Sequence, residues 1–303
     1  MISRRELLTG PAALLAWSAA EEIGRAADGR MSLALHQNTS SRAGFRASLE
    51  GWARAGITQV EITNGLLDRF LESEPLPAAR RLAGDLGLTI VCGACGVSGL
   101  LEPNPDRQKA LENFRRRCDT WAELGIPIIY STTATNIKPT ADDYRAAPAN
   151  AHEVGGIAAD FGLTALFEFI RISTFASTLT SLLSITRAAA HPNVGPLFDC
   201  YHFWSGLNKL EDLEILNPGE VRHVHFQDVP DMPREMLDMT TRVIPGEGVT
   251  PLATILRALA RKGYAGPLSV ELFLPKYSAA DPYEIAREIR TKAEAVMRQA
   301  QVL

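Results

Sequence analysis

Apolar residues recur along this chain in two rhythms. Short runs of four to eight residues, rich in Val, Ile, Leu and Phe, lie at 31–36, 58–62, 88–91, 126–130, 163–169, 194–199, 221–228 and 267–272. Runs this short, bounded by turn residues, predict β-strands. Between them apolar positions repeat at helical spacing, which predicts helices over 44–55, 77–86, 105–124, 141–161, 174–190, 209–216, 251–262 and 281–296. Five helix ends share one signal. Gly56, Gly87, Gly125, Gly162 and Gly263 each precede an apolar or aromatic residue that opens the next strand. A glycine there takes the left-handed position that closes a helix. The run at 221–228 also alternates, with Val224 and Phe226 on one side and His223 and His225 on the other.

Eight strands alternating with helices predict a parallel sheet, and eight such units predict closure. The expected fold class is therefore α/β, a single (β/α)8 TIM barrel over 31–303. An open doubly wound sheet is the competing architecture. It lacks support because no glycine-rich phosphate fingerprint follows the first strand.

Residues 1–30 break the pattern. Ser3-Arg4-Arg5-Glu6-Leu7-Leu8 precedes a short apolar run at 10–20, which ends in the small residues Ser18-Ala19-Ala20. The order resembles a twin-arginine export signal, so an N-terminal export leader and a periplasmic or secreted location are expected. A plain amphipathic helix is the alternative. Met31 stands directly before the first strand, and a true start there would make the protein cytoplasmic.

A hydrophobic content of 46% with 22% charged residues fits a globular protein, and a net charge of −4 argues against a nucleic-acid surface. No apolar run is long enough to span a membrane. Cys92-Gly93-Ala94-Cys95 has the spacing of a redox pair or half a zinc site, but no second pair matches it. Small residues packed at a strand end are the expected explanation. A disulfide stays open in an oxidising compartment.

Candidate chemistry sits where strands end. In a parallel barrel the strand C-termini converge on one rim. Glu168, Asp199, His225 and Glu271 end strands five, six, seven and eight. Three carboxylates and one imidazole suit one divalent metal: Mn²⁺, Co²⁺, Mg²⁺, Fe²⁺ or Zn²⁺. Without a cation three such acids would repel one another. Pairing of Glu168 and Glu271 with neighbouring arginines is the bland alternative. His202 is expected either to bond a substrate hydroxyl or to orient a carboxylate. Glu61 and His36 end strands two and one and are expected to contact substrate hydroxyls or cap loops. Trp204 is expected to form an apolar wall or simply to pack, and Arg234 to meet a polyhydroxy or anionic substrate or only solvent. His223 is expected one layer deeper than His225, and Asp228 to support a ligand or anchor the loop behind it.

These residues carry a resemblance. Glu168, Asp199 with His202, His225 with Asp228, and Glu271 resemble the metal motif of the xylose isomerase-like barrel family of sugar isomerases and epimerases. Within it, three segments are similar to inosose (2-keto-myo-inositol) isomerases: Phe198–Phe203, Asp231–Gly248, and Ser269–Phe273 with Pro275 and Tyr277. The resemblance implies a metal-dependent isomerase or epimerase of a keto-inositol or ketose, working through an enediolate with Glu168 and Glu271 as acid and base. It also implies a small polyol or keto-sugar as partner and a homo-oligomer. The leader departs from a cytoplasmic inositol enzyme. A lyase or dehydratase on a keto-sugar or 3-keto-glycoside is the alternative on the same metal site. An abasic-site endonuclease would need three zinc ions and a basic groove, which six His and an acidic balance do not provide. A non-catalytic sugar binder would not need paired acids.

Overall fold

Every predicted strand forms in the computed structural model, which describes residues 30–303. The expected leader lies outside the described residues. The strands are β1 (Ser32–His36), β2 (Gln59–Thr63), β3 (Thr89–Ala94), β4 (Ile128–Thr132), β5 (Thr164–Glu168), β6 (Val194–Asp199), β7 (Val224–His225) and β8 (Pro267–Val270). Each pairs in parallel with the next, and β8 pairs with β1 from Pro267↔Ser32 to Val270↔Leu35, which closes the barrel. The helices are α1 (Gly44–Arg54), α2 (Asn64–Leu71), α3 (Leu76–Asp85), α4 (Arg107–Glu123), α5 (Ala141–Asp160), α6 (Leu179–Ala189), α7 (Cys200–Ser205), α8 (Leu252–Arg261), α9 (Pro275–Ser278) and α10 (Pro282–Ala300). Among the described residues no helix is long and apolar enough to cross a membrane.

Strand alternation sorts the side chains into two cores. Leu35, Val60, Ile129, Phe167, Phe198, Val224 and Val270 point outward, into the layer beneath the helices. Ala34, Cys92, Tyr130, Leu166 and Leu197 fill the lumen. Fully burying one such aliphatic or aromatic side chain contributes about 1.5–3 kcal/mol. The outer layer leaves no slack at β3, where a Cβ on Gly93 would stand 2.9 Å from the Trp121 ring. Stepping two residues along β5, β6 and β7 puts Glu168, Asp199 and His225 on the lumen side, as the alternation of His223 and His225 predicts.

The five glycine stops close their helices as expected, with φ between 68° and 81°. The following amide reaches back in each case, for example from Ile57 to the Trp52 carbonyl at 3.0 Å. Three helices, α2, α7 and α9, are additional, and the stretch expected as a helix at 209–216 forms a 3-10 helix over Leu210–Ile215. Thr63 caps α2 by accepting from the Leu66 amide, and Asp199 caps α7 by accepting from the His202 amide at 2.6 Å. The helix expected from 174 starts later, at Leu179, where Thr178 and Ser181 form a reciprocal cap. Cys92 and Cys95 are free, buried thiols rather than a disulfide.

The chain from β7 to α8 is a long loop fixed at its root by Asp228. Its Oδ1 accepts from the Val229 and Thr250 amides, both at 2.9 Å, and its Oδ2 from the Gly246 and Gly248 amides, both at 3.0 Å. Only glycine fits at 248, because a Cβ would come within 2.1 Å of the Val229 carbonyl oxygen.

Candidate active site

Glu168, Asp199, His225 and Glu271 each offer one ligand atom, and these atoms lie within 4.8 Å of one another. His225 is the hub. Its Nδ1 stands 2.8 Å from Glu168 Oε1 and 3.6 Å from both Asp199 Oδ2 and Glu271 Oε2. Its Nε2 faces the other way, 3.2 Å from Glu61 Oε1. That second contact fixes the ring, leaving Nδ1 toward the three carboxylates. Three acids and an imidazole, buried and aimed at one point, fit a divalent cation.

Glu61 is not at the rim as expected of a hydroxyl contact. It is fully buried, and its Oε2 accepts from His223 Nε2 at 2.8 Å. Glu61 pairs with His36 across β1 and β2, and the two stand with His225 as a second group of possible ligand atoms. His223 is also deep, as expected. Cys92 joins Glu61 and His223 there, with burial pushing its thiol well up. His36 Nε2 meets the Tyr130 hydroxyl at 3.0 Å and lies 3.4 Å from Glu271 Oε1. Burial pushes the Tyr130 phenol well up, helped by the Glu271 and Glu61 carboxylates.

His202 turns into the site, fully buried. Burial pushes its imidazole down to about 3, so the ring is neutral at pH 7. Its Nε2 accepts from Arg242 Nη2 at 2.9 Å, and its Nδ1 lies 3.4 Å from the Arg171 amide; a neutral ring accepts at only one of the two. Arg242 received no role from the sequence, yet it is the buried cation of the site. Its Nη1 donates to Glu271 Oε2 and lies 3.7 Å from Asp199 Oδ2. Its guanidinium stacks between Phe273 and Tyr201, 4.8 and 5.3 Å from the ring centroids. Gln227, equally unassigned, donates through Nε2 to Asp199 Oδ2. Asn38 donates to Glu271 Oε1 at 2.9 Å.

Arg234 does not point into the site. It is exposed, and its guanidinium donates to the carbonyls of Gly206 at 2.6 Å and Trp204 at 3.1 Å, which locks two loops together. Trp204 is half-buried beside Tyr201, Val229 and Leu237.

The charges are arranged in opposition. Burial works against an ionised Glu271, but Arg242, His36 and His225 hold its carboxyl below the usual range. Burial likewise opposes Asp199, whose carboxyl His202, Arg242 and His225 hold far down. Glu168 lacks an arginine. Burial, with the Asp199 and Glu271 charges, pushes it up to about 8 despite His225. Burial disfavours a charged His225, yet Glu61, Glu168 and Glu271 raise it well above an ordinary imidazole.

Comparison with known proteins bears on the family and the fold. A family model described as the xylose isomerase-like TIM barrel matches residues 49–297. An inosose isomerase from Halalkalibacterium halodurans is 29% identical over 197 residues, which is 63% of this chain and 69% of that protein. A 3-dehydroshikimate dehydratase from Pseudomonas putida is 27% identical over 77% of this chain, but the match spans only 36% of that enzyme. In fold, the chain superposes on a crystal structure of the IOLI protein with a bound zinc atom at a TM-score of 0.83. The two are 21% identical, over 90% of this chain and 99% of that one.

Proposed function

The chain belongs to the xylose isomerase-like TIM barrel family, and from that premise we propose that it is a divalent-metal-dependent isomerase or epimerase of a keto-inositol or ketose. The observation that carries this reading is the convergence of Glu168, Asp199, His225 and Glu271 on one buried point. These four would hold the ion, which when bound polarises a carbonyl and its neighbouring hydroxyl and so acidifies the C–H bond beside them. The zinc atom of the structurally similar IOLI protein is in keeping with such a centre.

The protein's own groups divide the proton work. Arg242 keeps Glu271 ionised, ready to accept a proton from the substrate carbon. Glu168, pushed up to about 8 by burial, gives its proton up when an ion binds and is then the second carboxylate able to receive and return one. Two carboxyls with proton affinities driven apart are what an acid–base pair requires. Removal at one carbon and return at its neighbour passes through an enediolate, giving isomerisation. Return to the same carbon from the other face gives epimerisation. His202, neutral and held by Arg242, borders the same cluster. Likeness to the inosose isomerase favours a cyclic keto-polyol substrate.

A lyase is the second reading, supported by likeness to the dehydratase. Proton loss beside a carbonyl also expels a hydroxyl one carbon further on, and the same two glutamates would serve. One incubation separates the readings. The protein, reconstituted with Mn²⁺, is given 2-keto-myo-inositol in D₂O. Deuterium beside the carbonyl together with a new keto-inositol supports the isomerase, and an ultraviolet-absorbing enone supports the lyase. Glu168→Gln and Glu271→Gln are each expected to abolish turnover. Full activity in either would sink the acid–base assignment.

A further inference from the structure

Eight large apolar side chains are exposed among the described residues. Five of them, Ile137, Tyr144, Ile172, Leu207 and Met236, follow β4, β5, β6 and β7 on the rim that carries the ligand set. Leu207 is 80% exposed, Met236 65% and Ile172 59%, so these are not core residues showing an edge.

Hydrogen bonds tie the loops that carry them to one another. Thr174 Oγ1 donates to the Ile137 carbonyl at 2.6 Å, and the Tyr144 hydroxyl accepts from the Ala176 amide at 3.1 Å. Arg171 donates to the carbonyls of Ser205, Arg234 and Leu237, and Arg234 to those of Trp204 and Gly206. Ile172, Leu207 and Met236 are the immediate neighbours of these bonded residues. The arc also reaches the catalytic cluster directly, because the Arg171 amide lies 3.4 Å from His202 Nδ1. Both guanidiniums are spent on backbone carbonyls, so neither is offered to an anionic ligand.

We infer that this arc is a subsite for an apolar ring carried by the substrate, attached to the polyol whose reacting carbons sit over Glu168 and Glu271. The inference rests on the rim being the mouth of a polyol site, as proposed above. Size favours a ring over a second copy of the chain. A stable protein interface takes roughly 20–30 residues a side, whereas one aromatic ring system buries about 150–250 Å². Six side chains, counting the half-buried Trp204, fall far short of the larger demand. An enzyme for bare polyols would gain nothing from such a rim, since apolar patches beside a site mark something that covers them.

Methyl and phenyl β-D-glucopyranoside differ only in the substituent and serve as probes. Their dissociation constants are measured by ligand-observed NMR titration against the full chain. The phenyl glycoside is expected to bind about tenfold tighter. The preference should fall to about unity in the combined variant Ile172→Ser, Leu207→Ser, Met236→Ser, and persist in Ile215→Ser, which removes an exposed apolar residue elsewhere. Each preference is a ratio within one protein, so a general loss of affinity cannot imitate it. No phenyl preference in the parent chain, or one that survives the triple variant, overturns the inference. So does a parent chain without the preference that sediments as a dimer and becomes monomeric in the triple variant, which would give the patch to a second copy. Deuterium exchange with 2-keto-myo-inositol is run alongside. Exchange without phenyl preference rejects the subsite alone. A preference lost in the triple variant, without exchange, upholds the subsite and rejects the proposed reaction.

Discussion

Replacing Asp228 by Ala tests whether one buried carboxylate holds the loop that delivers Arg242. Four backbone amides converge on it, from Val229, Gly246, Gly248 and Thr250. Hydrogen bonds to a charged group are each worth about 1.5–3 kcal/mol, but the four are not lost equally. Gly246 is exposed and Gly248 half-buried, so water can replace their partner. The Val229 amide also reaches Thr250 Oγ1 at 3.1 Å. The buried Thr250 amide has no such substitute, and an orphaned donor costs about 1–3 kcal/mol. With partial losses at the other three, Asp228→Ala should cost about 3–5 kcal/mol. Asp228→Asn keeps one acceptor oxygen and should cost about half as much. Urea unfolding of the metal-free protein gives the numbers, with an unchanged slope showing that the free energy itself moved. At about 2–4 °C per kcal/mol, thermal unfolding should shift by roughly 10 °C. Turnover should fall further than stability explains, because the released loop carries Arg242 off Glu271. A cost below about 1 kcal/mol would refute the argument, since it would mean the loop is anchored elsewhere.

Arg242→Met removes the cation that keeps Glu271 ionised, so turnover should drop by about 10²–10³. The acidic limb of the pH–rate profile should move to higher pH, because a base that has lost its cation protonates earlier; an unmoved limb would show that Arg242 only packs. Metal binding should release protons at pH 7, about one to two per ion, since Glu168, at about 8, and the raised His225 must give theirs up. The sign follows: protons compete with the ion, so apparent affinity rises with pH. Calorimetry in two buffers of different ionisation heat reads the release, and buffer-independent heats would contradict it. Glu61→Gln should weaken metal binding by about 10–100-fold in a chelator competition, because it loosens the contact that aims His225. An affinity within twofold of the parent would leave Glu61 a purely structural role.

How far the sequence foretold this molecule depends on whether a residue's neighbours are set by period or by tertiary route. The barrel was legible because strand alternation and glycine helix stops are local rules repeated eight and five times. Helix α2 was hidden by Asn64-Gly65, which reads as a turn, although Thr63 makes the pair the first turn of a helix. Helix α7 was hidden because Asp199, read as a ligand at a strand end, also caps it. One carboxylate there serves both local structure and the site, and a reading of either kind alone stops at the first.

The four-residue cluster was legible for the same reason the strands were, since Glu168, Asp199 and His225 close their strands on the inward side and Glu271 follows directly after β8. Glu61 obeys the same period, but strand stagger decides whether an inward residue meets substrate or supports a ligand, and stagger is not written in the period. Arg242 obeys no period. It sits in an irregular loop and reaches Glu271 only because Asp228 folds that loop back onto the rim. The signal for it was electrostatic. Glu61, Glu168, Asp199 and Glu271 crowd one buried space, and His225 cannot balance four acids. Some buried cation was required, and the long loop after β7 supplies an arginine that enters the site, Arg242, and another that stays outside, Arg234. Choosing between them requires knowing which one the fold buries: Tyr201 and Phe273 cradle Arg242, while carbonyls at the loop surface claim Arg234.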